Sequence, residues 1–194
     1  MRDGYLDALT GRRLGGALFV LCGVIVAAIV LWPSGDDGNG KPLKVQPVRI
    51  VSIPQLGLAF AHPRTWKRTL AGRVIRLRSP DGAAVLTFAS PAEGRHALQV
   101  KAQLKALLRK RFGGSKIVRD GPAKLGRRKV TSFEISGVTA GGGETRALVL
   151  VGSSAYRTYA VTLLTPGLPS AKRLVEAQQI LATVRFAKPV VPRR

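Results

Sequence analysis

One cysteine, Cys22, is all the thiol chemistry this 194-residue chain contains. A lone cysteine closes no intrachain disulfide, and cysteine-built zinc sites are excluded. Histidine is nearly as scarce. His62 and His96 are the two present, and neither belongs to a cluster with metal-ligand spacing. Acids are few as well, 10 Asp and Glu against 32 Lys and Arg, for a net charge of +22. No glycine-rich loop leads from a strand into a helix, which excludes the common nucleotide-binding entrance. A catalytic set needs a nucleophile with a base, a carboxylate pair or metal ligands, and none is legible. No cofactor, metal or small-molecule substrate is expected, and the chain reads as a non-enzyme.

What the chain does have is one long apolar run. Leu14 to Trp32 is 19 residues without a charge. As a helix it spans roughly 28 Å, close to the hydrocarbon thickness of a bilayer. Arg2, Arg12 and Arg13 precede it, and Asp36 and Asp37 follow. Basic residues stay on the cytoplasmic side, so the expectation is a single-pass span in the cell membrane with the N-terminus inside and the C-terminal bulk outside. Cys22 follows Val20 and Leu21 and sits mid-run. That context speaks against a lipid-modified cysteine. A cleaved signal peptide is the alternative, although the run is long for one and ends in Leu31-Trp32-Pro33. Gly15, Gly16 and Gly23 do not form a G-x-x-x-G helix-pairing pattern.

The expected organisation is a cytoplasmic tail (1–13), a transmembrane helix (14–32), a linker (33–44), a folded domain (45–187) and a basic tail (188–194). From Lys41 onward the charge is +23. A surface of that kind attracts polyanions, whether anionic headgroups, wall polymers or nucleic acid. The candidate contacts are Lys101, Lys105, Arg109, Lys110 and Arg111 on a helix, with Arg127, Arg128 and Lys129 beyond it. The plainer reading is solubility and an arginine-rich composition.

Within the domain, Val48 to Ile53 is short and β-branched. Arg73 to Ser79 alternates, with Ile75 and Leu77 on one face and Arg76 and Arg78 on the other. Pro80-Asp81-Gly82 turns it into Ala83 to Ala89, which predicts a hairpin. Ala97, Val100, Leu104, Leu107 and Leu108 recur at helical spacing until Gly113-Gly114. Ser115 to Arg119 predicts a short strand. Arg128 to Ser136, Glu144 to Gly152 and Ala155 to Thr165 predict longer ones. Ser170 predicts the N-cap of a last helix that runs to about Val184. KPVVPRR predicts a loose tail. Tight turns between strands make the sheet antiparallel. The fold class is therefore α+β: about 6–7 antiparallel strands flanked by two main helices, preceded by the single transmembrane helix.

Individual polar residues have plain expectations. His62 predicts a turn residue and His96 a helix-start residue. Asp81 and Asp120 belong to Gly/Pro turns. Glu134 stands on the outward face of its strand. Glu176 is expected to offset Lys172 one helical turn away. Trp66 packs in the core, with the floor of a groove as the functional alternative. Gly141 to Gly143 is a hairpin turn or an anion nest. Tyr156 and Tyr159 fall on opposite strand faces, which argues against a base-stacking platform.

The order of pieces resembles the PsbP-like superfamily and its LpqN-like envelope members, here with an N-terminal membrane anchor. The residues that carry this are GLAFAHPRTWKR (Gly57 to Arg68), the hairpin after it, the helix ending near Phe112, LGRRKVTSFEI (Leu125 to Ile135) and YAVTLLTPGLPSAKRLVEAQQILATVRF (Tyr159 to Phe186). Ala61 stands where the group commonly has an aromatic before the proline. The resemblance implies a non-enzymatic binding or accessory module, with an unidentified envelope protein or a polyanion as partner.

Overall fold

The structure, a computed structural model, describes residues 47–90 and 96–190. The expected cytoplasmic tail, transmembrane helix and linker lie outside the described residues. Among those described, no helix is long and apolar enough to cross a membrane.

The described residues form ten strands and two α-helices in the order β1 (Val48–Ile53), β2 (Leu58–Pro63), β3 (Lys67–Ala71), β4 (Val74–Arg78), β5 (Val85–Ala89), α1 (Ala97–Arg111), β6 (Gly113–Leu125), β7 (Arg128–Val138), β8 (Glu144–Ser153), β9 (Thr158–Pro166), α2 (Ala171–Ala182) and β10 (Arg185–Phe186). They form a seven-stranded sheet ordered β3-β4-β5-β9-β8-β7-β6 and a three-stranded sheet ordered β1-β2-β10. Every pairing is antiparallel. The α+β class and the antiparallel sheet agree with the sequence reading. The division into two sheets does not follow from it.

β9 explains why the large sheet is covered on both faces. Tyr159, Val161 and Leu163 pack into one core with Leu86, Phe88, Leu150 and Ile180. Ala160 and Leu164 point the other way, into a second core with Val149, Phe133 and Leu104. A central strand apolar on both faces needs a layer on each side. On one side α1 supplies that layer through Val100, Leu104 and Leu108. On the other the layer is shared by α2 and the three-stranded sheet, whose Phe60 ring stacks on Phe88 with centroids 4.6 Å apart.

Several local expectations change. β3 is an added edge strand, solvent-exposed throughout, so it carries none of the hydrophobic alternation that marks a strand in sequence. β6 runs for 13 residues instead of five. It pairs with β7 past register irregularities near Lys116 and Arg119, and these break its alternation. The segment after β10 is tied back: Ala187 N donates to Gly57 O, and Val190 N to Pro54 O, each at 2.8 Å. Ser170 caps α2 as expected, its hydroxyl accepting from Arg173 N at 3.4 Å.

Candidate anion-contact surface

The charged residues are best placed by following the acids. Asp120 sits within β6, not in a turn, and on the side of the sheet that α1 covers. Lys101 and Lys105, one turn apart on α1, both reach it, Lys105 at 2.7 Å. Lys101 Nζ also donates to Thr131 Oγ1 at 2.9 Å. The two lysines hold the Asp120 carboxyl below the usual carboxylate range, chiefly through these hydrogen bonds. Two of the eight candidate cations are thus engaged in fastening α1 to the sheet.

Arg109, Lys110 and Arg111 occupy the last turn of α1 and are exposed. There they oppose the negative end of the helix dipole. Arg111 also has an interaction within the protein. The remaining three candidates surround the β6–β7 turn. Gly126 adopts φ 57° there, and its N–H donates to Leu181 O at 2.9 Å. The turn is thereby pressed against the end of α2. Arg128 lies over the Phe186 ring, 5.6 Å from its centroid, while Arg127 and Lys129 are exposed.

The two basic clusters are therefore at opposite ends of β6, a strand of 13 residues that extends roughly 40 Å at about 3.3 Å per residue. Lys116, Arg119 and Lys124 lie exposed along it. β6 is the outer strand of the sheet; by register Arg119 lies opposite Glu134 and Lys124 opposite Lys129, so these side chains emerge from both faces of that edge strand. The result is a basic strip, Arg109-Lys110, Lys116, Arg119, Lys124, Arg127 and Lys129, rather than one helix face. The three residues on β6 were not singled out from the sequence, because an isolated basic residue carries no local signal.

The other polar residues resolve into structural contacts. Trp66 is buried in the core, and its Nε1 donates to Glu176 Oε2 at 2.9 Å. Glu176 also accepts from Arg173 at 2.6 Å, so its partner is Arg173 and not Lys172. Arg173 Nε reaches Asp81 Oδ2 at 2.8 Å. Asp81 further accepts from Ser79 Oγ and Ala83 N. These contacts, the Ser79 bond foremost, hold the Asp81 carboxyl far below its usual range.

Glu134 departs furthest from expectation. It is 3% exposed, on an inner face and not an outward one. Arg146 approaches to 3.9 Å, too far for a hydrogen bond, and Oε1 has no partner. Burial pushes the Glu134 carboxyl above its ordinary pKa, against the opposing pull of Arg146 and Arg119. His62 is buried within β2, with Nδ1 2.8 Å from Pro63 O. Burial lowers its pKa despite that contact, so the ring is neutral near pH 7. His96 precedes α1 without a side-chain capping bond. Tyr159 is buried, donating to Leu56 O, while Tyr156 is exposed. Gly141 to Gly143 lie in the turn between β7 and β8. Among the described residues no group of His, Cys, Asp and Glu could hold a metal ion.

Compared by sequence, the chain matches no protein-family model and no curated protein. Among solved structures, a 1.50 Å crystal structure from Bacteroides thetaiotaomicron VPI-5482 is similar at 13% identity and TM-score 0.52, over 72% of this chain. This chain spans about half of that protein, 48% of its length. Cyanobacterial PsbP (CyanoP) from Synechocystis sp. PCC 6803 is similar at 10% identity and TM-score 0.46, over 77% of this chain and 98% of that one. LpqN, involved in cell envelope biogenesis of Mycobacterium tuberculosis, is similar at 13% identity and TM-score 0.44, over 74% and 87%. The first likeness is one of fold alone, and the lower scores of the other two carry no argument.

Proposed function

We propose that this chain is a non-enzymatic accessory or binding protein of the cell envelope, a PsbP-like domain held outside the membrane by a single N-terminal span. The observation that carries the reading is Leu14 to Trp32, an uninterrupted apolar run with arginines before it and aspartates after it. The motifs that resemble the PsbP-like group support an accessory module. The use of Asp81, Asp120 and Glu176 in hydrogen-bonded ion pairs supports a structural rather than catalytic role for those acids. The test is the intact mass and topology of the mature protein. A span retained in the mass, with the domain digested by protease added to intact cells, is the expected result. A mature chain beginning beyond Trp32, or a domain protected from external protease, overturns it.

A second reading is favoured by the basic strip along β6: a polyanion-binding module for headgroups, wall polymer or nucleic acid. Here the full chain in neutral detergent is expected to be retained on immobilised heparin and released as salt rises. Changing Arg109, Lys110, Lys116, Arg119, Lys124, Arg127 and Lys129 to glutamine is expected to bring release to lower salt. Unchanged retention removes the strip as the contact, and no retention at low salt removes the reading.

A further inference from the structure

Away from the β6 strip, two arginines occupy a different setting. Ile75 and Leu77 of β4 enter the core beneath α2, so the alternating Arg76 and Arg78 emerge on the opposite face. There they line an open cleft of about 480 Å³ at one end of the sheet. Gly82 and Val85 come from the β4–β5 hairpin, and Gly141 and Glu144 from the turn and strand after β7. The glycines keep side chains out of the opening.

Like Arg146, which faces Glu134 at 3.9 Å, Arg76 has an Nε shielded from solvent and without a hydrogen-bond partner. Its register neighbours are Thr87 and then Thr162. Both are fully buried, and both hydroxyls are themselves unpartnered. Among the described residues neither Arg76 nor Arg78 forms an ion pair. The scarce acids are engaged elsewhere: Asp81 and Glu176 with Arg173, Asp120 with Lys101 and Lys105, Glu134 facing Arg146. Glu144 shares the cleft, but its carboxylate lies against the Gly167 backbone, where a Cβ would come within 2.7 Å of Oε2. Burial lowers the Arg76 pKa with no neighbouring charge to offset it. A shielded N–H without an acceptor is costly to leave unpaired, and the partly exposed remainder of Arg76 and the exposed Arg78 are open to an external anion.

We propose that this cleft binds the phosphoryl group of a small phosphate ester or lipid headgroup, with Arg76 and Arg78 as its donors. Paired guanidiniums offer more N–H groups than one carboxylate can accept, and they match the additional oxygens of a phosphoryl group. The cleft volume lies in the range of small-ligand sites. This proposal depends neither on the membrane span nor on the β6 strip.

The test is a titration of the full ¹⁵N-labelled chain in neutral detergent, following the Arg76 Nε–Hε signal by NMR. Loss of that signal in Arg76→Lys assigns it. Inorganic phosphate, acetate and bicelles containing phosphatidylglycerol are the probes. A saturable shift with phosphate identifies a free phosphate group as sufficient, and saturation only with the bicelles assigns the headgroup. Arg78→Ala is expected to weaken binding about tenfold, the loss of a charge-assisted hydrogen bond, with Glu144→Gln strengthening it. The wild-type titration needs no variant, and thermal melts separate unfolding from lost contact in the others. A linear shift shared by all arginine signals, an equal response to acetate, or unchanged affinity in folded Arg78→Ala overturns the proposal.

Discussion

Glu134 places a carboxyl where burial disfavours its charged form. Its carboxyl is buried, one oxygen is unpartnered, and its pKa is raised by desolvation. Between the ordinary pKa of 4.5 and the raised folded value, the native state binds more protons than the unfolded chain. Stability therefore falls as pH rises through that window. Glu134→Gln keeps the shape and removes the charge. It is expected to raise stability at neutral pH, to change little below pH ~4, and to flatten the pH dependence between them. Urea unfolding across pH checks this, and an unstable variant at neutral pH would show instead that the Arg146 attraction dominates. Alternation along a strand with one solvent-facing side would put Glu134 outward. In a sheet covered on both faces the second row is buried too.

At the scale of elements, Arg173 shows how α2 is seated. It joins Glu176 on its own helix to Asp81 on the β4–β5 turn, with Trp66 completing the Glu176 contact. The Glu176 side chain is 6% exposed, so losing Arg173 removes the counter-ion of a buried carboxylate. Arg173→Ala is expected to cost about 3 kcal/mol in urea unfolding, and Trp66→Phe about 1–2 kcal/mol. The outer strand β6 invites a different test. Its exposed lysines and arginines discourage edge-to-edge pairing between molecules. Replacing Arg119 and Lys124 by valine is expected to produce concentration-dependent self-association, read by light scattering, with the native circular dichroism retained. These contacts were invisible in sequence. Asp81 and Arg173 are 92 positions apart, and local spacing offered Lys172 as the more obvious partner for Glu176.

For the whole molecule the governing feature is one sheet with a core on each face. Leu104 belongs to the core under α1, and Ile180 to the core under α2. Leu104→Ala and Ile180→Ala are each expected to cost about 2–5 kcal/mol. Separated by the sheet, their effects are expected to add within about 0.5 kcal/mol. Denaturation of the single and double variants measures this, and strong non-additivity would mean that the two cores communicate through β9.

Sequence alone determined the α+β class, both helices, most strands and the Ser170 cap. These follow from side-chain periodicity and local backbone chemistry, which act over a few residues. It also determined what chemistry is unavailable: with one cysteine, the chain closes no intrachain disulfide and supplies no metal with more than one thiol ligand. Tertiary structure decided the rest. It split the strands into two sheets, because a central strand apolar on both sides needs two covering layers. It spread the basic residues along β6, and among the described residues it left Arg76 Nε without a hydrogen-bond partner. Charge is read from composition, but whether a charge is spent or available depends on which distant residue folding brings beside it.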